Sequence, residues 1–364
     1  MSIINVMWAS GGPFASTHKV HQQILSQASP SVPVETWLLQ GHASECGVSV
    51  GGVREWGLSS SRLKGRHFWR LTKPWMQARF RSALKYSDAH LLLLDGLGVA
   101  RAFLPILETL PHIRAVVIFH GSTRLHPVDR VVFGRFPASR LTLVAVSKTL
   151  AASLSEDLQV PVMTLRSAFD PAAFRSALLP REQARTRLGL PLDKTPVLGA
   201  VGRLVAGKGF ACLLDAFAGA LPEKPDLKLV IVGEGTARAA LEARIDELQL
   251  RGKVLLPGHM DDVAQLYRAF DWVAMPSLNE GLGLILQEAV MAGVPVLSSE
   301  LDVFREQLAD AGWYAPIENV DVWRDIIARA FSVSPETIAA EQYQALAPDQ
   351  SWLSFSQTAR ALLS

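Results

Sequence analysis

Cysteine is nearly absent: Cys46 and Cys212 are the two in 364 residues, and they lie far apart. They support neither a disulfide framework nor a thiolate metal cluster, so a reducing compartment is the expectation. No uninterrupted apolar run approaches the roughly 18 to 20 residues of a membrane-spanning helix. The first residues, Met1 to Trp8, lack a basic stretch and read as a first buried strand rather than a signal peptide. An Asp-x-Asp pattern is missing too, and no group of His, Cys and Asp shows metal-ligand spacing, so a divalent-metal site is not expected.

What is present is an apolar chain, 49% hydrophobic and 19% charged, long enough for two domains with a core in each. Its net charge of +2 conceals two opposite halves. Residues 1–170 hold 18 Lys and Arg against 10 Asp and Glu, whereas residues 171–364 hold 18 against 24. A basic half can face nucleic acid, an anionic membrane or a phosphorylated acceptor, and charge alone does not choose among them.

From residue 196 onward, short apolar runs alternate with segments whose apolar residues recur at three and four. Strands are expected at Val197–Val201, Lys228–Val232, Lys253–Leu256, Trp272–Met275 and Pro295–Ser298. Helices are expected at Gly209–Ala220, Thr236–Leu250, Asp261–Phe270 and Gly283–Ala292. The pattern predicts a parallel sheet covered on both faces. The N-terminal half repeats it at Ile3–Met7, Val34–Leu38, Ala89–Leu94, Ala115–Phe119 and Thr142–Val146. The organisation expected is a Rossmann-like domain over 1–168, a second over 169–345, and a terminal helix over 346–364. Prolines crowd the boundary, and the linker is placed near 166–190.

Five sites stand out. In Pro276-Ser277-Leu278-Asn279-Glu280-Gly281-Leu282-Gly283, followed by Glu288, two carboxylates bracket a turn that opens an apolar helix just after a strand. Helix starts favour anions, and two carboxylates there would repel one. A ligand carrying both phosphate and hydroxyls, such as a nucleotide sugar, removes the conflict. In Gly202-Arg203-Leu204-Val205-Ala206-Gly207-Lys208-Gly209, two cations and several backbone N–H groups can surround one anionic group, or the stretch is a solvated loop; a Walker A pattern is absent there. Gly233-Glu234-Gly235 is a lone Gly-x-Gly and reads as a tight turn when taken alone. His120 beside Gly121 ends a strand, with a hydrogen-bonded structural histidine as the alternative, and Gly11 and Gly12 in the first βα turn allow close approach of a ligand to the backbone.

Residues 62–85 contain eight Lys and Arg, no acidic residue, and Phe68, Trp69, Trp75 and Phe80. This segment reads equally as a membrane-surface element, with Arg66, Trp69, Arg70, Lys73 and Trp75 facing lipid or acceptor, or as a core helix with a solvated basic face. Pro74 argues against one continuous helix.

In order and spacing, these motifs resemble the retaining GT-B glycosyltransferases of group 1 (family 4). The resemblance rests on Gly202-Arg203 with Lys208-Gly209, Val232-Gly233-Glu234-Gly235, Pro257-Gly258, Pro276-Ser277 with Glu280-Gly281-Leu282-Gly283 and Glu288-Ala289, and Ala292-Gly293-Val294-Pro295-Val296. It extends more loosely to Gly11-Gly12, His120-Gly121 and Val144-Ala145-Val146-Ser147, and departs at Ser167-Ala168-Phe169-Asp170, where members often carry Asn-Gly-Val-Asp.

The resemblance implies an α/β GT-B fold, two Rossmann-like domains with parallel sheets facing each other across a cleft, the last helix crossing back to the first domain. It implies a hexosyl transfer with retention, from a UDP- or GDP-linked sugar to a glycan or lipid-linked acceptor, in cell-surface polysaccharide or lipopolysaccharide synthesis. Catalytic roles fall on His120, Glu280, Arg203 and Lys208. Donor contacts fall on Gly11, Gly12, Gly202, Arg203, Lys208, Gly233, Glu280, Gly281, Leu282, Gly283 and Glu288: the cations on the diphosphate, Glu288 on the ribose, Glu280 on the hexose. It implies no metal, no other cofactor and no nucleic-acid partner, with a cytoplasmic location, peripheral at the inner face of the membrane. The alternatives are a nucleotide-sugar epimerase of the same fold and a non-catalytic nucleotide-sugar-binding protein.

Overall fold

The computed structural model describes residues 2–8, 16–43, 50–58, 69–121 and 123–364. Contacts divide the chain into unit 1, Met1–Ser167 with Leu353–Ser364, and unit 2, Ala168–Trp352.

Unit 1 holds a seven-stranded sheet in the order β3-β2-β1-β4-β5-β6-β7, from β1 (Ser2–Met7), β2 (Val34–Leu38), β3 (Gly52–Glu55), β4 (Ala89–Asp95), β5 (Arg114–Phe119), β6 (Leu141–Ala145) and β7 (Val162–Thr164). Unit 2 holds six strands in the order β10-β9-β8-β11-β12-β13: β8 (Val197–Val201), β9 (Lys228–Val232), β10 (Val254–Gly258), β11 (Trp272–Met275), β12 (Val296–Ser299) and β13 (Trp313–Ala315). Every pairing is parallel. Central strands such as Leu91–Leu94 and Leu229–Val232 are buried throughout, which continuous apolar runs require when both sheet faces are covered. Two all-parallel α/β sheets are what the motif order implies.

Strand order reverses once in each sheet, between β1 and β4 in unit 1 and between β8 and β11 in unit 2. At such a point the connections leave in opposite directions and open a crevice at the carboxyl ends of the strands. Three strands escape the sequence reading. The strand β3 is exposed at all four residues, while β7 and β13 are three-residue edge strands, too short to show a period.

Other departures have local causes. Residues 261–270 form two 3-10 turns, Val263–Gln265 and Tyr267–Ala269, instead of one α-helix. Tight winding aligns residues three apart, and it buries Tyr267 and Phe270 together with ring centroids 6.4 Å apart. The stretch read as a linker holds two helices of unit 2, Pro171–Ala177 and Arg181–Arg187. Pro171 occupies the first helical position, where a missing N–H costs nothing, and Asp170 caps that helix by accepting from the amides of Ala172 and Ala173 at 2.9 and 3.1 Å.

The helix Trp69–Lys85 runs through Pro74, its sixth residue, so the proline disturbs only the first turns. Met76, Phe80 and Leu84, spaced by four, are buried against the sheet, and Phe80 stacks 4.6 Å from both Trp56 and Phe103. Phe80 is thus a core residue and not part of a membrane-facing surface. Trp75 stays 56% exposed, with the Arg79 guanidinium 4.9 Å from its ring centroid. Among the described residues, no helix is long and apolar enough to cross a membrane.

Candidate active site

In unit 2 the loops after β8 and β11 lie side by side because their strands are paired. The amide of Leu278 donates to the Gly207 carbonyl at 3.0 Å. Gly209, at φ +69°, lies so close to the second loop that a Cβ would stand 2.0 Å from the Pro276 carbonyl oxygen, so glycine is required there. This docking brings Lys208 to Glu280. The Lys208 ammonium donates to Glu280 Oε1, and the Ser277 hydroxyl donates to the same oxygen at 2.9 Å. Both side chains are largely buried, 18% and 13% exposed, so solvent screens the pair weakly. A carboxylate at a helix start is no longer a conflict when a lysine is bound to it. Arg203 is exposed on the same loop, just beyond Gly202.

The following turn is fixed from behind. Gly283, at φ +78°, precedes the helix Leu284–Met291, and a Cβ there would stand 2.5 Å from the Phe304 ring. Gln307 donates to the Leu282 carbonyl at 2.6 Å and accepts from Gln287 at 3.0 Å. The amides from Gly281 to Gly283 therefore sit on a rigid support. Glu288 is 1% exposed, and its Oε2 accepts from the Tyr267 hydroxyl at 2.8 Å. Burial, then the Glu288 charge, holds the Tyr267 phenol well above its usual range, so it remains a donor. Tyr267→Phe removes that donor from a buried carboxylate and is expected to cost about 1 to 3 kcal/mol, read by urea unfolding. Gly233 is buried at the end of β9, and Glu234 pairs with Arg238 four residues on at 2.7 Å, the arrangement of a plain turn.

In unit 1 the corresponding edge gathers polar side chains that the sequence reading missed, His120 excepted. Asn5 on β1 donates through Nδ2 to Thr36 on β2 at 3.2 Å. Its Oδ1 accepts from His21 Nδ1 at 2.6 Å, which places the His21 proton on Nδ1 and leaves Nε2 as an acceptor. His120 Nε2 then donates to His21 Nε2 at 3.1 Å. Asp95, the last residue of β4, has Oδ1 3.4 Å from His120 Nε2, and its Oδ2 accepts from the Trp8 amide at 3.2 Å. Burial, with the charge of His18 adding to it, drives the His120 pKa down to about 3. Burial drives Asp95 up to about 6 against the pull of the Trp8 amide. The Asp95–His120 contact therefore involves a neutral imidazole and is not an ion pair. The sequence showed no metal-ligand spacing, yet His21, Asp95 and His120 bring ligand-type atoms within 4.8 Å of one another. Three separate elements supply them, so no local spacing could reveal the group. The one available signal was polar residues, Asn5 and Asp95, inside or ending apolar strands.

Gly11, Gly12 and Arg66 lie outside the described residues, and Trp69, Arg70 and Lys73 are described as backbone positions of their helix.

Residues 181–345 match the model of the family described as glycosyl transferases group 1. The chain is 32% identical over 164 residues to a 2-deoxystreptamine glucosyltransferase of Streptomyces kanamyceticus, a match covering 44% of this chain and 42% of that protein. It thus spans about two-fifths of that relative's length. It is 29% identical over 319 residues to a phosphatidyl-myo-inositol mannosyltransferase of Mycolicibacterium smegmatis, covering 82% of this chain and 73% of that one. The structure of Anabaena HepE in complex with UDP and glucose superposes with a TM-score of 0.76 at 18% identity, over 98% of this chain and 99% of that one, a likeness of fold. The matched region, residues 181–345, is thus similar to the group 1 glycosyltransferases, and it carries the paired loops of Lys208 and Glu280.

Proposed function

We propose that this chain transfers a hexosyl unit, with retention of configuration, from a nucleotide-diphosphate sugar to a glycan or lipid-linked acceptor. The observation that carries the reading is the convergence of Lys208 and Glu280 at the strand-order reversal of unit 2, beside an exposed Arg203 and a supported helix start. Relatives named as glucosyl- and mannosyltransferases, and the UDP and glucose in the HepE complex, support it. Arg203 and Lys208 hold the diphosphate and stabilise the charge growing on the leaving oxygen. Glu280 and the amides of Gly281 to Gly283 orient the hexose, and Glu288, braced by Tyr267, takes the ribose hydroxyls. Gly202 and Gly233, packed closely at the ends of β8 and β9, are donor contacts, and His120 meets the hexose. The bond from the anomeric carbon to the phosphate oxygen breaks as the bond to the acceptor oxygen forms on the same face, and the leaving phosphate takes the acceptor proton.

A panel of UDP- and GDP-linked sugars screened by thermal shift tests the donor assignment. At a hundredfold excess over Kd, a bound donor stabilises the fold by about 2.7 kcal/mol. At least one donor is expected to raise the melting temperature, and Glu288→Ala to reduce that shift; a panel without any shift contradicts the reading.

The acceptor side is proposed to work at an anionic membrane surface on the inner face of the membrane, through the basic helix and the exposed Trp75. Each basic residue near such a surface contributes about 1 kcal/mol, so neutralising Arg66, Arg70 and Lys73 together is expected to weaken vesicle binding by about 100-fold. High salt is expected to release the wild type. Sedimentation with phosphatidylserine vesicles decides, and equal binding by the triple variant removes the membrane assignment.

A further inference from the structure

We propose that His21, Asp95 and His120 form a binding site for one divalent transition-metal ion of the zinc class. The three come from the helix Ser16–Leu25, the end of β4 and the residue after β5, and their ligand atoms all lie within 4.8 Å of one another. Zinc bonds of about 2.0 to 2.1 Å at tetrahedral angles place neighbouring ligand atoms about 3.3 to 3.4 Å apart. The observed separations are 3.1 Å between the two Nε2 atoms and 3.4 Å between His120 Nε2 and Asp95 Oδ1. Two edges of the group thus match a tetrahedral site, and the third lies within 4.8 Å, close enough to contract around an ion.

The atoms behind the ligands are held as a metal site requires. Asn5 Oδ1 accepts from His21 Nδ1 and is itself oriented by Thr36, so the His21 Nε2 lone pair points into the group. The Trp8 amide holds Asp95 Oδ2 and leaves Oδ1 facing His120. His21 is fully buried, whereas the side chains of Asp95 and His120 are 12% and 14% exposed, so an ion can approach the group from the solvent side of these two residues. Two imidazoles and one carboxylate favour zinc, cobalt, nickel or copper over magnesium, which requires oxygen ligands. On binding, His120 moves its proton from Nε2 to Nδ1, and Asp95 binds as the carboxylate. The ion then holds His120 away from the sugar, so zinc inhibits the reaction; this consequence rests on the transferase reading, while the site does not.

The test titrates the full chain, freed of metal by dialysis against chelator, with Co²⁺ and follows visible absorption. Saturation at one Co²⁺ per chain is expected, with the intense bands of four- or five-coordinate cobalt, reversed by Zn²⁺ and not by Mg²⁺. His21→Gln and Asp95→Asn are each expected to weaken binding at least 10-fold, with melting curves run beside them. Should His21→Gln fail to fold, the isosteric Asp95→Asn carries the comparison. No saturable binding, or binding indifferent to both substitutions, overturns the site. Turnover unchanged at full occupancy overturns the inhibition and leaves the site to the cobalt spectrum. The cobalt spectrum needs no turnover, so a chain that binds cobalt and transfers no sugar counts against the proposed reaction and not against the metal.

Discussion

Lys208→Met is expected to lower kcat/KM for the nucleotide sugar by about 100- to 1,000-fold, the range lost when one fixed charge-stabilising group is removed from a transition state. In the structure the same ammonium sits on Glu280, together with Ser277. Its removal therefore also leaves a carboxylate, 13% exposed, with one hydroxyl in place of a cation. Glu280→Gln breaks the pair from the other side and frees Lys208 while losing the charged acceptor for a sugar hydroxyl. Because each substitution disables part of what the other does, the double variant should lose less than the product of the two single losses. A coupling of at least about 1 kcal/mol in a double-mutant cycle on kcat/KM is the expected signature. Independent effects would make the contact incidental to the reaction.

Arg185→Met is expected to destabilise the fold by about 3 to 5 kcal/mol without touching the proposed chemistry. The side chain is 1% exposed and its guanidinium donates to the carbonyls of Ala269, Pro191, Asp193 and Thr195 at 2.7 to 3.3 Å. It also lies 3.5 Å from Asp271 Oδ2, which accepts from the Val197 amide at 2.8 Å. One buried cation thus ties the segments that lead into β8 and β11, the two strands whose loops carry Lys208 and Glu280. Methionine fills the volume and removes the guanidinium donor from those four carbonyls. A urea midpoint and a melting temperature lowered by roughly 10 °C are expected, with kcat of the folded fraction unchanged. A stability equal to wild type would show that water replaces the guanidinium without loss.

Much of this molecule was legible in the sequence because its central strands are largely apolar and glycines mark several of the loops that follow them. Val197–Val201, Lys228–Val232 and Trp272–Met275 fall on the strands observed, and the loops after them hold Lys208, Gly233 and Glu280. What local pattern does not contain is pairing across long separations. The meeting of residues 208 and 280 depends on β8 lying beside β11, a matter of strand order. The meeting of Asn5, His21, Asp95 and His120 depends on β1, β4 and β5 ending at one edge beneath the first helix. Arg185 looks in sequence like one basic residue of a surface helix, yet four main-chain carbonyls surround it. Pro171 and Pro180 suggested a linker, although proline at a helix start is as favourable as proline in a loop.

Sugar transfer from a nucleotide-diphosphate donor is tested by incubating the purified chain with the donor that stabilises it and with lipid and glycan acceptor extracts. Nucleoside diphosphate release and the anomeric signal of the product are followed by NMR. The proposed transfer predicts release that depends on acceptor, with the donor's anomeric configuration kept in the product. Donor consumed without acceptor, or donor bound and never consumed across the acceptor panel, would contradict it.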